Sequence, residues 1–156
     1  MANHCDNKIV IQSANKAFLQ QIADATAIDL LTFVCPLPDR DPTTLEVVYE
    51  KWGTKWIDVS SAFIDNDQLT IYATTAWAPP LAAFQNAISN ENWRDTHITI
   101  FYCEIGNSFA GQAEISSDGF VDDCIDLPSA DEDLPDSISD ELRSYIVDDC
   151  GWGDWL

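Results

Sequence analysis

The stretch Ile57-Asp-Val-Ser-Ser-Ala-Phe-Ile-Asp-Asn-Asp-Gln-Leu-Thr-Ile-Tyr-Ala73 carries the clearest structural signal in the chain. Ile57, Val59, Ala62 and Ile64 are the apolar positions of one strand. Leu69, Ile71 and Ala73 alternate with polar residues in a second. Asp65-Asn66-Asp67 between them has turn chemistry, so this stretch is expected to fold as a β-hairpin.

Upstream of the hairpin, Lys8-Ile-Val-Ile-Gln12 is a short β-branched run that reads as a first strand. Ser13 or Asn15 can cap the segment that follows. There Phe18, Leu19, Ile22, Ala23 and Thr26 recur at helical spacing, which predicts a helix over residues 15–27. Leu31 to Pro38 reads as extended, because a residue before proline is pushed out of the α region. Asp39 to Pro42 reads as a turn, and residues 44–56 are only weakly helical through Leu45, Val48, Tyr49 and Trp52. Downstream, Pro79-Pro80 suits a helix start, and Leu81, Phe84, Ala87 and Ile88 form that helix's inner face. Ile98, Ile100 and Tyr102 alternate in a further strand. Gly106 to Gly119 carries turns around one short strand near Ala113–Ile115. The order strand, helix, strand, strand, helix, strand predicts an α+β protein, a ferredoxin-like sandwich of an antiparallel sheet with two helices.

The composition changes near residue 117. The chain holds 27 acidic and 7 basic side chains among 156 residues, a net charge of −20. Residues 118–156 contribute 13 acids and a single base, Arg143, so the acidity is concentrated at one end. The reading is therefore a ferredoxin-like domain at 1–117 and an acidic C-terminal extension at 118–156, packed on that domain. Within the extension, Asp136 or Ser137 can cap a short helix that stacks Ile138, Leu142, Tyr145 and Ile146 on one stripe. Trp152, Trp155 and Leu156 supply an apolar end.

Five strings occur in order along the chain. Asn3-x-Cys5-x-Asn7 precedes the first strand, and Phe33-x-x-Pro36-x-Pro38 follows the first helix. Trp52-Gly-Thr-Lys-Trp56 precedes the hairpin, and Thr75-Ala-Trp77-x-Pro79-Pro80 ends it. Tyr102-x-Glu104-x-Gly106-x-x-Phe109-Ala-Gly111 closes the fold. Over about residues 1–111 the chain thus resembles the YubB ferredoxin-like family of phages and plasmids. The resemblance implies a ferredoxin-like fold and a mobile-element origin, and it implies no activity.

Several chemistries lack the residues they need. Cys5, Cys35, Cys103, Cys124 and Cys150 are scattered, with no Cys-x-x-Cys pair for zinc or redox work. With no apparent signal sequence, they are expected to be reduced and mostly buried, Cys150 being the most exposed, in a cytoplasmic protein of a bacterial host. His97 and Cys103 share a strand face but lie about 20 Å apart, too far for a nucleophile and its base. No phosphate-cradling glycine loop occurs, and the Asp-rich stretch lacks calcium-loop order. No catalytic residue, metal or cofactor is expected. Trp52-Gly53-Thr54-Lys55-Trp56 is expected to lock a loop on the core.

The charge repels nucleic acid and anionic membranes, and it attracts basic partners. The expected partner-binding residues are Asp118, Asp122, Asp123, Asp126, Asp131, Glu132, Asp133, Asp136, Asp140, Glu141, Asp148, Asp149, Trp152, Asp154 and Trp155. Fully extended, this tail would spread its charge over about 130 Å, far more thinly than a duplex with one charge per about 1.7 Å. Folding would have to gather it. The expected role is an acidic, nucleic-acid-mimicking inhibitor of a bacterial defence complex, anti-CRISPR or anti-restriction in kind. The alternative is a non-catalytic small-ligand or protein-interaction module whose acidity serves only solubility.

Overall fold

The computed structural model of the protein describes residues 3–37, 45–128 and 132–151. Six antiparallel strands form one sheet: β1 (His4–Gln12), β2 (Ile57–Asp65), β3 (Gln68–Ala76), β4 (His97–Glu104), β5 (Phe109–Ser116) and β6 (Gly119–Asp126). Their spatial order is β2-β3-β1-β4-β5-β6. The helices are α1 (Lys16–Ala25), α2 (Leu30–Val34), α3 (Leu45–Trp52), α4 (Leu81–Ile88) and α5 (Asp140–Ser144). β1 connects through α1 to α3 to β2, with β3 lying between the two strands. β3 connects through α4 to β4, with β1 between. These interleaved units are the ferredoxin-like frame, and β5 and β6 extend it as a meander.

The hairpin forms where its alternation places it. Ile64 pairs with Leu69 and Asp65 with Gln68, and Asn66 turns the chain at φ 56°, a left-handed conformation that asparagine tolerates. β1 is the central strand. Ile9 sits opposite both Ile71 of β3 and Ile100 of β4, and all three are fully buried. Asn15 caps α1 by accepting from the Phe18 N–H at 3.1 Å. Phe18, Leu19 and Ile22 then face the sheet, and Phe18 and Phe84 both meet the Trp93 ring edge-on.

Four helices lie among the described residues before β4, where the sequence predicts two. α2 occupies part of the stretch expected to be extended, because proline restrains only Cys35 and Leu37, and Asp29 caps residues 30–34 from the Thr32 N–H at 3.3 Å. The expected turn at Asp39–Pro42 lies outside the described residues.

The sheet is also larger than expected. β5 runs from Phe109 to Ser116, and β6 pairs with it over its whole length, so the division drawn at residue 117 falls between two strands of one sheet. Asp122, Asp123 and Asp126 hide the strand signal of β6 in sequence. The chain then crosses to the sheet's second face, where Leu127, Leu134, Leu142, Tyr145, Ile146 and Cys150 bury against Phe101, Cys103 and Ala110. Ser139 caps α5, two or three positions beyond the expected cap, by accepting from the Leu142 N–H at 3.0 Å. The helix continues as a π-helical turn over Tyr145–Asp149, closed by the Cys150 N–H on the Tyr145 carbonyl at 2.9 Å. Cys150 is consequently buried, and Cys124 on β6 is the exposed thiol, which reverses the sequence expectation.

Tyr102 ties the meander together. Its ring crosses Gly111 on β5, and its hydroxyl donates to Asp122 Oδ1 on β6 at 2.6 Å. A Cβ at position 111 would stand 2.3 Å from the Tyr102 hydroxyl and 2.8 Å from the Asp123 carbonyl. Gly111→Ala is expected to cost about 1–3 kcal/mol through overpacking, measured by urea denaturation. Ile146→Ala is expected to cost about 2–5 kcal/mol as a core truncation. Asp148→Asn on the solvent side of the same turn should stay within about 0.5 kcal/mol of the parent.

Candidate functional site

The expected partner-binding acids fall into two groups. Asp118 lies in the turn entering β6, and Asp122, Asp123 and Asp126 lie on the strand. Asp122 and Asp126 project on the helix-bearing face, in register with Ala113 and Phe109, while Asp123 projects on the second face beside Gln112. Glu132, Asp133 and Asp136 lie on the connection across the second face. Asp140 and Glu141 occupy the first turn of α5, where the helix dipole favours carboxylates. Asp148 and Asp149 end the π-helical turn. These eleven carboxylate residues are all exposed. Asp131, Trp152, Asp154 and Trp155 lie outside the described residues. Arg143 is the sole base of this region, and its guanidinium donates to the Pro135 carbonyl at 2.7 Å.

A polar chain that periodicity did not reveal ties β4 and β5 to the start of α5. His97 on β4 and Glu114 on β5 pair at 2.5 Å, and Thr99 donates to the same carboxylate at 3.0 Å. Gln112 donates to Glu114 Oε1 at 3.0 Å and accepts from the Ser139 hydroxyl at 2.6 Å. Since Ser139 is the cap of α5, the sheet face and the helix start are one connected unit. Only the β4–β5 register, which sets Thr99 against Glu114, brings these residues together.

The Trp52 to Trp56 loop belongs to the core. Trp52 Nε1 donates to the Cys35 carbonyl at 2.7 Å. Gly53 has φ 80° and passes so close to Pro79 and Ala82 that a Cβ would lie 3.3 Å from backbone atoms of each. The Thr54 hydroxyl donates to the Ala76 carbonyl at 2.8 Å and accepts from the Ala76 N–H at 2.9 Å, acting as a strand partner for the end of β3. One residue later Trp77 adopts φ 69°, with the Ala78 N–H returning to the Ala76 carbonyl at 2.8 Å. This is a strained γ-turn at a bulky, half-exposed residue. Between this loop and the start of α2 lies a cleft of about 540 Å³, lined by Ile28, Trp52, Lys55, Trp56 and Asp58 among others.

The buried thiols are poor nucleophiles. Burial pushes the Cys5 thiol far up. Cys103 is raised first by its hydrogen bond with Cys150 and then by burial. Protonated thiols in such surroundings are inert. Asp6, next to Cys103 in the β1–β4 register and 4.0 Å from Cys150 Sγ, has its carboxyl raised above the usual range by partial loss of hydration, opposed by Thr74 and His4. Among the described residues no cluster of His, Cys, Asp and Glu is arranged to hold a metal ion. No described helix is long and apolar enough to cross a membrane.

Residues 45–145 match the ferredoxin-like domain in Api92-like protein. The chain belongs to this family. The match runs from α3 through β6 and the whole of α5, and so takes in five of the six strands and much of the acidic region, with β1, α1 and α2 preceding it. It establishes a ferredoxin-like family and does not reach to the narrower YubB resemblance. No curated protein and no solved structure matches the chain.

Two measurements check this description. Trp77→Gly is expected to be more stable than Trp77→Ala by about 1 kcal/mol, since only glycine adopts positive φ without strain; equal urea midpoints would show that the turn is unstrained. For Asp6, the folded state holds its proton more tightly than the unfolded state. Its contribution is therefore most favourable below the unfolded carboxylate pKa and is lost as pH rises through the folded value. Asp6→Asn should gain stability relative to the parent at neutral pH and little at acid pH, modestly because Asp6 keeps an exposed flank.

Proposed function

We propose that this chain is a non-catalytic binding protein of the phage- or plasmid-borne kind, acting in the cytoplasm of a bacterial host. It presents carboxylates in place of a nucleic-acid backbone and occupies the basic surface of a defence complex such as a CRISPR effector or a restriction enzyme. The observation that carries the reading is the eleven exposed acids gathered on β6 and the segment packed beside it, where Arg143 is the only base and is already engaged. On β6 alone Asp122, Asp123 and Asp126 stand within about 13 Å of extended strand, and the acids of the segment packed beside it bring the local density above that of a fully extended tail. A basic groove would meet charge-assisted hydrogen bonds from carboxylates where it normally holds phosphates. Association would be fast and salt-sensitive.

A second reading, a small-ligand module with acidity for solubility, draws on the cleft beside Lys55 and Trp56. The two separate in one experiment. The protein is immobilised and exposed to bacterial lysate at low salt, beside a variant with Asp122, Asp123, Asp126, Asp140, Glu141, Asp148 and Asp149 changed to their amides. The parent should retain basic nucleic-acid-binding proteins that added DNA displaces, and the variant should lose them. Retention that DNA does not disturb, or that survives in the variant, overturns the mimicry.

A further inference from the structure

We infer that the outer edge of β6, unpaired among the described residues, is a strand-addition site that takes a basic β-strand of the partner. The inference rests on the reading above only for the partner's charge. Its own basis is the direction of backbone groups. One step past the β5–β6 ladder, the Leu127 N–H donates to the Ser108 carbonyl at 2.7 Å, in the register that pairs Phe109 with Asp126. An antiparallel pair exchanges hydrogen bonds at every second residue. The odd-numbered residues of β6 therefore turn their N–H and C=O groups to β5. Phe120, Asp122, Cys124 and Asp126 turn theirs away from the sheet, and all four residues are exposed.

The two edges of the sheet differ. β2 is interrupted by a bulge between Val59 and Ser61, and the Ser60 hydroxyl there donates to the Tyr72 carbonyl, features that spoil an edge for pairing. β6 pairs with β5 at every position from Gly119 to Asp126 without a register shift, so its outer edge is regular. It also carries apolar side chains to solvent, with Phe120 42% and Val121 55% exposed, one on each face. A strand laid along this edge would bury both and would complete the outward ladder.

Charge decides the occupant. A second copy of β6 would set Asp122, Asp123 and Asp126 against themselves, and like charges across a strand pair are destabilising. A strand bearing Lys or Arg at alternate positions would meet Asp122 and Asp126, which share the helix-bearing face, as cross-strand partners. Main-chain bonds then supply affinity and the side chains supply selection, as in other strand additions.

The test uses the full-length protein and two synthetic peptides of alternating Lys and Val. One is unmodified and the other has every backbone amide N-methylated, which keeps the charge and removes the ladder donors of both strand edges. The unmodified peptide should bind at least about tenfold more tightly than its N-methylated form, the difference expected from one or two lost hydrogen bonds. It should also slow amide exchange at Phe120, Asp122, Cys124 and Asp126. Cys124→Pro, which removes an outward N–H without changing charge, should lose a similar factor. If circular dichroism shows this variant unfolded, the peptide comparison on the unaltered protein decides. Equal binding of the two peptides would overturn strand addition and leave the acidic-surface reading standing. Binding of neither at low salt would overturn both. Dimers that form in the parent and vanish in Cys124→Pro would assign the edge to a second copy and refute the basic strand.

Discussion

Burial of Leu142, Tyr145 and Ile146 against Phe101, Cys103 and Ala110 is the contact on which this protein's surface depends. Without it the acidic stretch would be a solvated tail, its charges self-repelling and far apart. With it, apolar side chains point down at the sheet and the carboxylates have no direction left but outward. The same burial opposes a real electrostatic cost, because like charges brought within a Debye length resist compaction. The apolar layer must exceed that cost, which is why the region has its own core and not merely a helix resting on another.

The first core settles the frame and the second settles which charges are turned to solvent. Ile9 and Ile11 on β1 face the helical layer, while Val10 between them reaches the other side. A single strand thus feeds both cores through its alternation. Tyr102 belongs to the first core, yet its hydroxyl reaches Asp122, so the acidic edge strand is fixed from the side opposite α5. On the second face the Ser139 hydroxyl donates to Gln112 and ties the start of α5 to β5.

The frame was legible in sequence because its strands alternate cleanly, as in Ile57 to Ala73, and because helices such as 16–25 keep a 3.6-residue period with a capping Asn15. β6 was not legible. Aspartate is rare in strands, and an edge strand with both faces wet need not alternate, so Gly119 to Asp126 carries composition but no period. α2 was missed because its five residues are too few to show a period beside two prolines. Asp118 to Asp149 could be named as a charged set from the sequence, whereas the His97–Glu114–Gln112–Ser139 chain could not. It exists only once the register of two strands and the seat of a distant helix are known.

The place of β1 in the sheet bears on how the chain is made. This strand is synthesised before its neighbours β3 and β4, whose paired residues lie 56 to 97 positions later. On the ribosome it must wait, unpaired, until His97–Glu104 has emerged. Such non-local pairing is slow to form compared with the local contacts of a helix. During that interval the run Lys8-Ile-Val-Ile-Gln12 is an exposed, β-prone segment of the nascent chain.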